Sequence, residues 1–552
     1  MVLFYLDDGV LCGSPEAVSE ALATLSQQAG LVGLHLNVNK CELVAMANTA
    51  PTGLSNLFPP ALLKDMVESS PTYGQSRVLL DGEFEILGAP VGSAPFCASH
   101  TSARIQKALP VLDAIATLED TQVALRLQRH CHGYSKLGYS TRVVPSANHA
   151  TELQAFDAAQ RAAFNGYMAW SPNDQQWSQA TRGFRHAGLG LRSSSAHAAP
   201  AYIASRLATS RFCRELDPAH TWEGADANSA LGKSVLAYNA AVGQPDQLDL
   251  SSEPEAAVRQ QTLSKAVDQL AHTQFFQSLN DSDRKHVLSE TLQGASGFLE
   301  AKPSKEQGLA WDPKEFSTEI RFRLMDNLFP EDSWCPACDG VLDRKGRHAG
   351  TCPSWGDKTR RHNAARNRTG AFATAAGQNP TLEQPGLLQP SPGQPNAGQR
   401  RPADVYLPSW NGSPAALDFA ITSPHRLDAP REATSTAGAA AAAYEAHKRA
   451  YLNTAEDCVA QGIAFIPMVG EPSGGWGTSA ICTFKALAKA QTAGTDLDSG
   501  SVLASELQHL STAVRRANAR AVLCRSCHTT TRPCHARSEA ASILEAHEVE
   551  VP

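Results

Sequence analysis

The sequence lacks several features that would assign it to a common class. It has no run of about 18 apolar residues, so we expect no helix that spans a bilayer. Its beginning carries two aspartates but no lysine or arginine, so we expect no secretory signal. The 13 cysteines are odd in number and widely scattered. We therefore expect reduced thiols or metal ligands rather than disulfides, in an intracellular protein.

An excess of basic residues is also absent. The formal net charge is -7, whereas a nucleic-acid-binding domain usually carries a broad positive surface. Any contact with nucleic acid must therefore be local. With 552 residues, of which 42% are hydrophobic, the chain can bury several cores, and we expect a soluble protein of two to four domains.

The first candidate site is the pair Asp7 and Asp8, which lies between two short apolar runs. This pattern predicts a tight hairpin with two acids at its tip. Two carboxylates at such a turn suit Mg²⁺, which prefers oxygen ligands. The alternative is an ordinary acidic turn that faces water.

Residues 5–8 (YLDD) resemble the YxDD signature of reverse transcriptases, and three later segments follow in the family's order: residues 33–37 (GLHLN), 40–43 (KCEL) and 87–92 (LGAPVG). The resemblance is to the polyproteins of non-long-terminal-repeat retrotransposons. It implies a partial reverse-transcriptase palm over residues 1–93, with Asp7 and Asp8 as catalytic acids. In that family another catalytic aspartate lies on an upstream strand. We therefore expect an N-terminally truncated polymerase that lacks an upstream segment and is inactive alone.

The middle of the chain shows apolar residues three and four apart, which predicts helices. The resemblance makes residues 94–242 a helical thumb or connector and residues 255–330 a further helical connector. Between them, residues 243–254 are polar and rich in turn formers, which predicts a linker.

The strongest pattern read from the residues alone is Cys335-x2-Cys338-x9-His348-x3-Cys352. Two close pairs of thiol and imidazole ligands are what a closed tetrahedral zinc site requires. We expect a structural zinc knuckle within residues 331–368. The alternative is a chance grouping in a protein with many reduced cysteines.

A basic run accompanies this pattern and contains a single acid, Asp357. It is either a solvated face or a phosphate-binding patch for DNA or RNA. The candidate nucleic-acid-binding residues are Arg344, Lys345, Arg347, Lys358, Arg360, Arg361, Arg366 and Arg368. The knuckle followed by Arg361-His362-Asn363 resembles the segment before the endonuclease of these retrotransposons, except that Asn363 stands in place of an acid.

Two further acids, Asp404 and Asp418, lie in apolar runs that flank a turn around Asn411. If Trp410, Asn411 and Gly412 form the loop, the two aspartates pair directly across a hairpin, with Cβ atoms about 5 Å apart. A slip of one residue would put them on opposite faces. The preceding residues 377–402 are rich in Pro, Gly and Gln and predict an irregular loop.

The alanine-rich residues 438–452 predict a helix with Tyr444, Lys448 and Tyr451 on one face. Together with Asp404 and Asp418 this set resembles the PD-(D/E)xK core of restriction-like endonucleases. The resemblance implies an α/β nuclease over residues 369–523, in which the two acids hold catalytic Mg²⁺ and Lys448 is the catalytic lysine. The sequence departs from this pattern at two places. Ala403 separates Pro402 from Asp404, and Ala420 stands two places after Asp418, where the usual lysine would be. Glu471 is either an auxiliary acid or, as we expect, a surface residue.

The last segment, residues 524–552, carries Cys and His residues that form either a second zinc site or a tail with free thiols: Cys524, Cys527, His528, Cys534 and His535.

Together these patterns predict an α+β multidomain protein, a fragment of a retrotransposon reverse transcriptase and endonuclease. Its expected partners are DNA and RNA, with no membrane and no small-molecule cofactor, and its expected location is nuclear when it acts on DNA. The alternative is a non-catalytic remnant that binds nucleic acid through the knuckle and the basic run.

Overall fold

The computed structural model describes residues 2–5, 8–254, 256, 258–388 and 400–528, with only the backbone for 527 and 528. The strands are β1 (Val2–Tyr5), β2 (Asp8–Leu11), β3 (Leu43–Val44), β4 (Val78–Leu79), β5 (Phe84–Ile86), β6 (Ala89–Val91), β7 (Ser333–Trp334), β8 (Val341–Leu342), β9 (Thr381–Leu382), β10 (Val405–Trp410), β11 (Ser413–Ile421) and β12 (Ala464–Gly470).

The helices are α1 (Pro15–Leu31), α2 (Leu54–Leu57), α3 (Pro60–Leu63), α4 (Ala94–Ala116), α5 (Thr121–His130), α6 (Ser140–Val143), α7 (Ala150–Met168), α8 (Asp174–Ala180), α9 (Ser194–Leu216), α10 (Ala230–Ala240), α11 (Gln260–Gln277), α12 (Asp281–Glu290), α13 (Gly297–Glu300), α14 (Pro313–Arg323), α15 (Asp357–Ala375), α16 (Ala439–Ala450), α17 (Thr454–Ala460), α18 (Thr478–Thr492) and α19 (Ser499–His528). The predicted α+β class and the helical middle of the chain are confirmed.

The chain forms two compact units that are interleaved along the sequence. Unit 1 comprises residues 1–110, 135–158 and 194–267, and unit 2 comprises residues 111–134, 159–193 and 268–552. The predicted linker at residues 243–254 therefore lies inside unit 1, because helices on both sides of it contribute to one core. That core includes Ile203, Leu231 and Leu263.

In the first part of unit 1 the β-structure consists of separate two-stranded pairs. β1 and β2 form an antiparallel hairpin in which Tyr5 pairs with Asp8, so Asp8 belongs to the second strand rather than to the tip. β3 and β4 are parallel, and β5 and β6 form another hairpin. Leu54, Phe58 and Leu62 form a small core beside them.

Unit 2 contains a four-stranded sheet with the order β12-β11-β10-β9. β9, β10 and β11 are antiparallel, whereas β11 and β12 are parallel and are joined through α16 and α17. A parallel connection needs such a crossover because the chain must return to the end of the sheet at which the first strand began. β9 lies within the predicted irregular loop, so that prediction is wrong at Thr381 and Leu382. Residues 389–399 of the loop lie outside the described residues.

The β10–β11 turn explains the register of this hairpin. Asn411 and Gly412 both have positive φ, 50° and 90°, as a two-residue type I′ turn requires, and Asn-Gly is its preferred sequence. The loop is thus one residue shorter than predicted, and Trp410 pairs with Ser413. An irregularity between Leu407 and Trp410 shifts the register, so that Val405 pairs with Leu417 as predicted.

The sheet is covered on both faces. Leu417 and Phe419 of β11 pack in the main core, which includes side chains from α15, α18 and α19. Ala416 packs in a smaller cluster with Cys458 and Phe465. Because side chains alternate along a strand, Asp418 points to the same face as Ala416.

Candidate metal centre and acidic site

The predicted knuckle brings its four ligands together in unit 2. The ligand atoms of Cys335, Cys338, His348 and Cys352 all lie within 4.8 Å of one another. Their chain segment begins at the short β7–β8 hairpin and ends just before α15. The cluster could hold a metal ion such as zinc.

The spacing of the donor atoms fits a tetrahedral ion. Around zinc, with Zn–S of about 2.3 Å, ligand atoms lie roughly 3.5–3.8 Å apart. The sulfur of Cys352 is 4.0 Å from that of Cys335 and 3.5 Å from that of Cys338, and Cys338 Sγ is 3.3 Å from His348 Nε2. The predicted ligand set is therefore assembled as a closed site.

The thiols of this Cys3His cluster interact closely. Their mutual hydrogen bonds lower the pKa of Cys335 and raise that of Cys338. Thiolates are the form in which cysteine binds metals. Gly340 is necessary beside them, because a Cβ at this position would lie 2.6 Å from the His348 ring.

The second site is the acid pair, Asp404 and Asp418. Asp404 directly precedes β10 and Asp418 lies in β11, each one residue beyond the paired Val405 and Leu417, and the charge of Asp404 acts on Asp418. Both side chains are mostly buried, with 15% and 14% of their surface exposed. The hairpin thus brings two carboxylates to one face of the sheet.

Each acid has a cationic neighbour. Nζ of Lys448, on α16, lies 3.2 and 3.1 Å from the two carboxylate oxygens of Asp418. Nε2 of His362, on α15, lies 3.1 Å from Oδ2 of Asp404, and the backbone N–H of Phe419 donates to the same oxygen at 2.6 Å. Lys448 therefore joins the acid pair as the resemblance implied, whereas His362 is an additional member.

The surroundings shift the pKa values of the two acids in opposite directions. Burial raises the pKa of Asp418 to about 6. The positive charge of Lys448 acts in the opposite direction, and the negative charge of Asp404 raises the pKa further. Burial also acts on Asp404, but the hydrogen bond and charge of His362 outweigh it and hold the pKa of Asp404 below its ordinary value. Despite burial, Asp404 raises the pKa of His362. The pair thus combines an ionised carboxylate with one that titrates near neutrality.

A row of aromatic rings lies on α16 and the turn that follows it, on both sides of Lys448 in the sequence. The ring of His447 is 5.6 Å from that of Tyr444 and 5.9 Å from that of Tyr451, and the planes are tilted by 39° and 43°. The Arg426 guanidinium lies 4.9 Å from the Tyr444 ring. His447 is exposed, and Tyr451 is 43% exposed, so this aromatic row is accessible beside the acid pair.

Glu471 is not the surface residue that we expected. It lies just after β12 and is 1% exposed. Burial raises the pKa of Glu471 to about 7, and Oε2 has no hydrogen-bond partner within the described part of the chain. The sequence could not reveal this burial, because the residues that cover Glu471 come from distant segments, including Ser289.

The basic run does not form a continuous free surface. Lys345 and Arg347 both bind Asp283, at 2.6 Å for Lys345, and Arg361 is 2% exposed and donates to Asn518. Arg366 and Arg368 bind Glu383 and Glu506. The exposed members are Arg344, Lys358 and Arg360.

Two predicted groups are only partly described. Asp8 is exposed on β2, and Asp7 lies outside the described residues. Cys524 is exposed on α19. The side chains of Cys527 and His528, and all of Cys534 and His535, lie outside the described residues.

Comparison with models of known protein families and with curated proteins finds no match to this chain. In the described part of the chain, no helix combines the length and apolar character needed to cross a membrane.

Proposed function

We propose that unit 2 is a metal-dependent DNA endonuclease related to the restriction-like endonucleases of non-long-terminal-repeat retrotransposons. The observation that carries this proposal is the acid pair, two buried carboxylates side by side with the Lys448 ammonium within 3.2 Å of Asp418. Buried acids and a lysine at this spacing are suited to phosphoryl chemistry.

Asp404 and Asp418 would hold Mg²⁺, since both are oxygen donors and one of them is kept ionised by His362. When bound, this ion supplies Lewis-acid stabilisation of the phosphate oxygens and lowers the pKa of a water nucleophile. Lys448 balances the charge of Asp418 and can donate to a phosphate oxygen from the same position. His362 orients Asp404.

The surface beside the acid pair supports a nucleic-acid substrate. The aromatic row can stack on unpaired bases, which is how single strands bind without sequence specificity. For the Cys3His cluster we propose structural zinc, because three sulfurs and one nitrogen in a closed tetrahedron match that ion best. The exposed Arg344, Lys358 and Arg360 would contact the phosphate backbone.

The experiment is nicking of supercoiled plasmid by the full chain with Mg²⁺, comparing wild type with Asp418→Asn. We expect the variant to lose about 100-fold or more in rate, because it loses one of the two metal-binding acids. A matched control is Asp496→Asn, which makes the same change on an exposed loop and should nick like wild type. Equal nicking by Asp418→Asn and wild type would contradict the proposal.

A second candidate is nucleic-acid binding without cleavage. It is favoured by the position of Lys448, which already occupies both oxygens of Asp418. Binding that weakens steeply with salt, in a protein that shows no nicking with any divalent cation, would support this alternative.

A further inference from the structure

Arg525, near the end of α19, is fully buried, with 0% of its side chain exposed. Its Nη1 donates to Oδ2 of Asp357 at 2.9 Å and to the backbone oxygen of Ala521 at 2.8 Å. In the described part of the chain, Nε and Nη2 are buried and make no hydrogen bond of standard geometry, although the sulfurs of Cys352 and Cys335 lie close enough to interact with the guanidinium. Leaving the donors of a buried charge unpaired is unfavourable, so an arginine here needs a further explanation.

The Cys3His cluster adjoins this guanidinium. Ala521 and Val522, one turn before Arg525, share a core with Cys335 and Cys352. The Trp355 ring, just before α15, lies 5.2 Å from the Arg525 guanidinium carbon. Although burial opposes it, the hydrogen bond with Asp357 and the sulfurs of Cys352 and Cys335 raise the pKa of Arg525. The sulfurs of Cys352 and Cys335 are therefore the groups within reach of its remaining N–H groups.

Metal binding would not remove this negative charge. Three thiolates and a neutral imidazole around Zn²⁺ leave a net charge of about -1, and a buried charge needs a counter-charge and hydrogen bonds. Groups that donate to metal ligands fix their orientation and tune the affinity of the site. Arg525 has both the opposite charge and two unused N–H groups.

We propose that Arg525 is the outer-sphere partner of the metal–thiolate centre, donating its Nε–H and Nη2–H to the ligand sulfurs while Nη1 remains on Asp357. Since Asp357 is the first residue of α15, metal binding then fastens the last turns of α19 to the beginning of α15. This inference depends on metal binding by the Cys3His cluster and not on the proposed nuclease activity.

The competing explanation is that Arg525 only pairs with Asp357. To separate the two, zinc affinity is measured by competition with a chelator of known affinity, in the full-length Asp357→Asn variant and in the Asp357→Asn/Arg525→Met double variant. Asp357→Asn keeps an oxygen that can accept from Nη1 of Arg525, whereas the double variant also removes the buried guanidinium. We expect Asp357→Asn to bind zinc like wild type, and the double variant to bind it 10- to 100-fold more weakly.

Equal zinc affinity in the single and double variants would overturn the proposal. The rate at which N-ethylmaleimide alkylates Cys335 and Cys352 is a second readout, and it should rise only in the double variant, since N–H donors protect bound thiolates. Arg520→Met is the matched control, because Arg520 lies on the same helix but its side chain is 60% exposed and pairs with Glu315. Loss of zinc affinity in this control as large as that in the double variant would also overturn the proposal.

The proposed stabilisation of the contact between α19 and α15 is tested by hydrogen–deuterium exchange of the wild-type protein with zinc bound and after chelation. We expect faster exchange after chelation in the last turns of α19 and the first turn of α15. Unchanged exchange in both segments would contradict the fastening.

Discussion

The hairpin at the beginning of the chain and the β10–β11 hairpin both carry aspartates, but their surroundings differ. Asp8 lies on an exposed strand beside Tyr5, which is 65% exposed. Asp404 and Asp418 are mostly buried, with His362 and Lys448 as cationic partners. A pair of acids acquires unusual chemistry only where burial and charged neighbours change its proton affinity.

The same contrast extends to the packing of the two regions. Val2 and Phe4 in β1 are 56% and 53% exposed, and no side chain of α1 is completely buried, although Val18 and Leu22 pack half-buried against the small core. In β10 and β11, by contrast, Val405, Leu407 and Leu417 are completely buried. The sheet of unit 2 is therefore a well-packed support for a site, whereas the described residues between 2 and 34 contribute few core contacts. The predictions below test this difference with matched changes in the two regions.

The largest effect should come from the metal centre. Cys352→Ser removes one ligand of the Cys3His cluster, and we expect it to lose bound zinc and about 4 kcal/mol of unfolding free energy, the contribution of an ion present at about 1,000 times its Kd. The measurement is denaturant unfolding together with metal content. Cys41→Ser, at a half-buried thiol in unit 1, is the control and should change neither. Equal unfolding free energies for Cys352→Ser and Cys41→Ser would contradict this prediction.

A smaller effect, of about 3 kcal/mol of unfolding free energy, should come from the titration of Glu471. Its pKa in the folded protein is about 7, against an ordinary value of 4.5, so between these pH values the folded state binds more protons than the unfolded state. Stability contributed by this group is therefore lost as pH rises from 4.5 to 7, at up to 1.36 kcal/mol per unit, roughly.

In Glu471→Gln this loss disappears, so we expect the variant to be more stable than wild type at pH 8 but not at pH 4.5. Denaturant unfolding at several pH values measures it. Glu42→Gln, at an exposed position in the N-terminal region, should leave the pH dependence unchanged. A wild-type and a Glu471→Gln protein with parallel pH profiles would contradict the prediction.

The smallest effect should be at the aromatic row. In an Asp418→Asn background, which prevents cleavage, Tyr451→Ala should weaken binding of single-stranded DNA about 5-fold, corresponding to about 1 kcal/mol for one lost stacking interaction. Fluorescence anisotropy with a labelled oligonucleotide measures it. Tyr5→Ala changes a comparably exposed tyrosine in the N-terminal hairpin and should have no effect. An equal loss in Tyr5→Ala would contradict the assignment of the stacking to the aromatic row.

The acid pair was predictable because its geometry is local. The Asn411-Gly412 turn alone would offset the pairing by one residue, but the irregularity between Leu407 and Trp410 restores it, so Val405 pairs with Leu417 without reference to the rest of the chain. The metal ligands were predictable for the same reason, since Cys335 to Cys352 lie within one short segment.

What could not be predicted depends on residues that are distant in sequence. Asp283 binds Lys345 and Arg347, and Glu506 binds Arg368, so a count of charges between 344 and 368 overstates the free positive surface. Arg525 reaches the metal centre only because α19 packs against it. The signal for His362 was present in the Arg361-His362-Asn363 segment, but nothing in the sequence pairs it with Asp404.

The short turn between β10 and β11 also has a consequence for the order of folding. The two acids are joined by a local hairpin, which forms in about 1–10 μs, whereas Lys448 arrives through the crossover that leads to the parallel strand β12, a slower, non-local pairing. During folding the carboxylates therefore meet before their ammonium partner docks, and they repel each other when both are ionised. We expect Asp418→Asn, which removes one of the two charges, to refold faster than wild type.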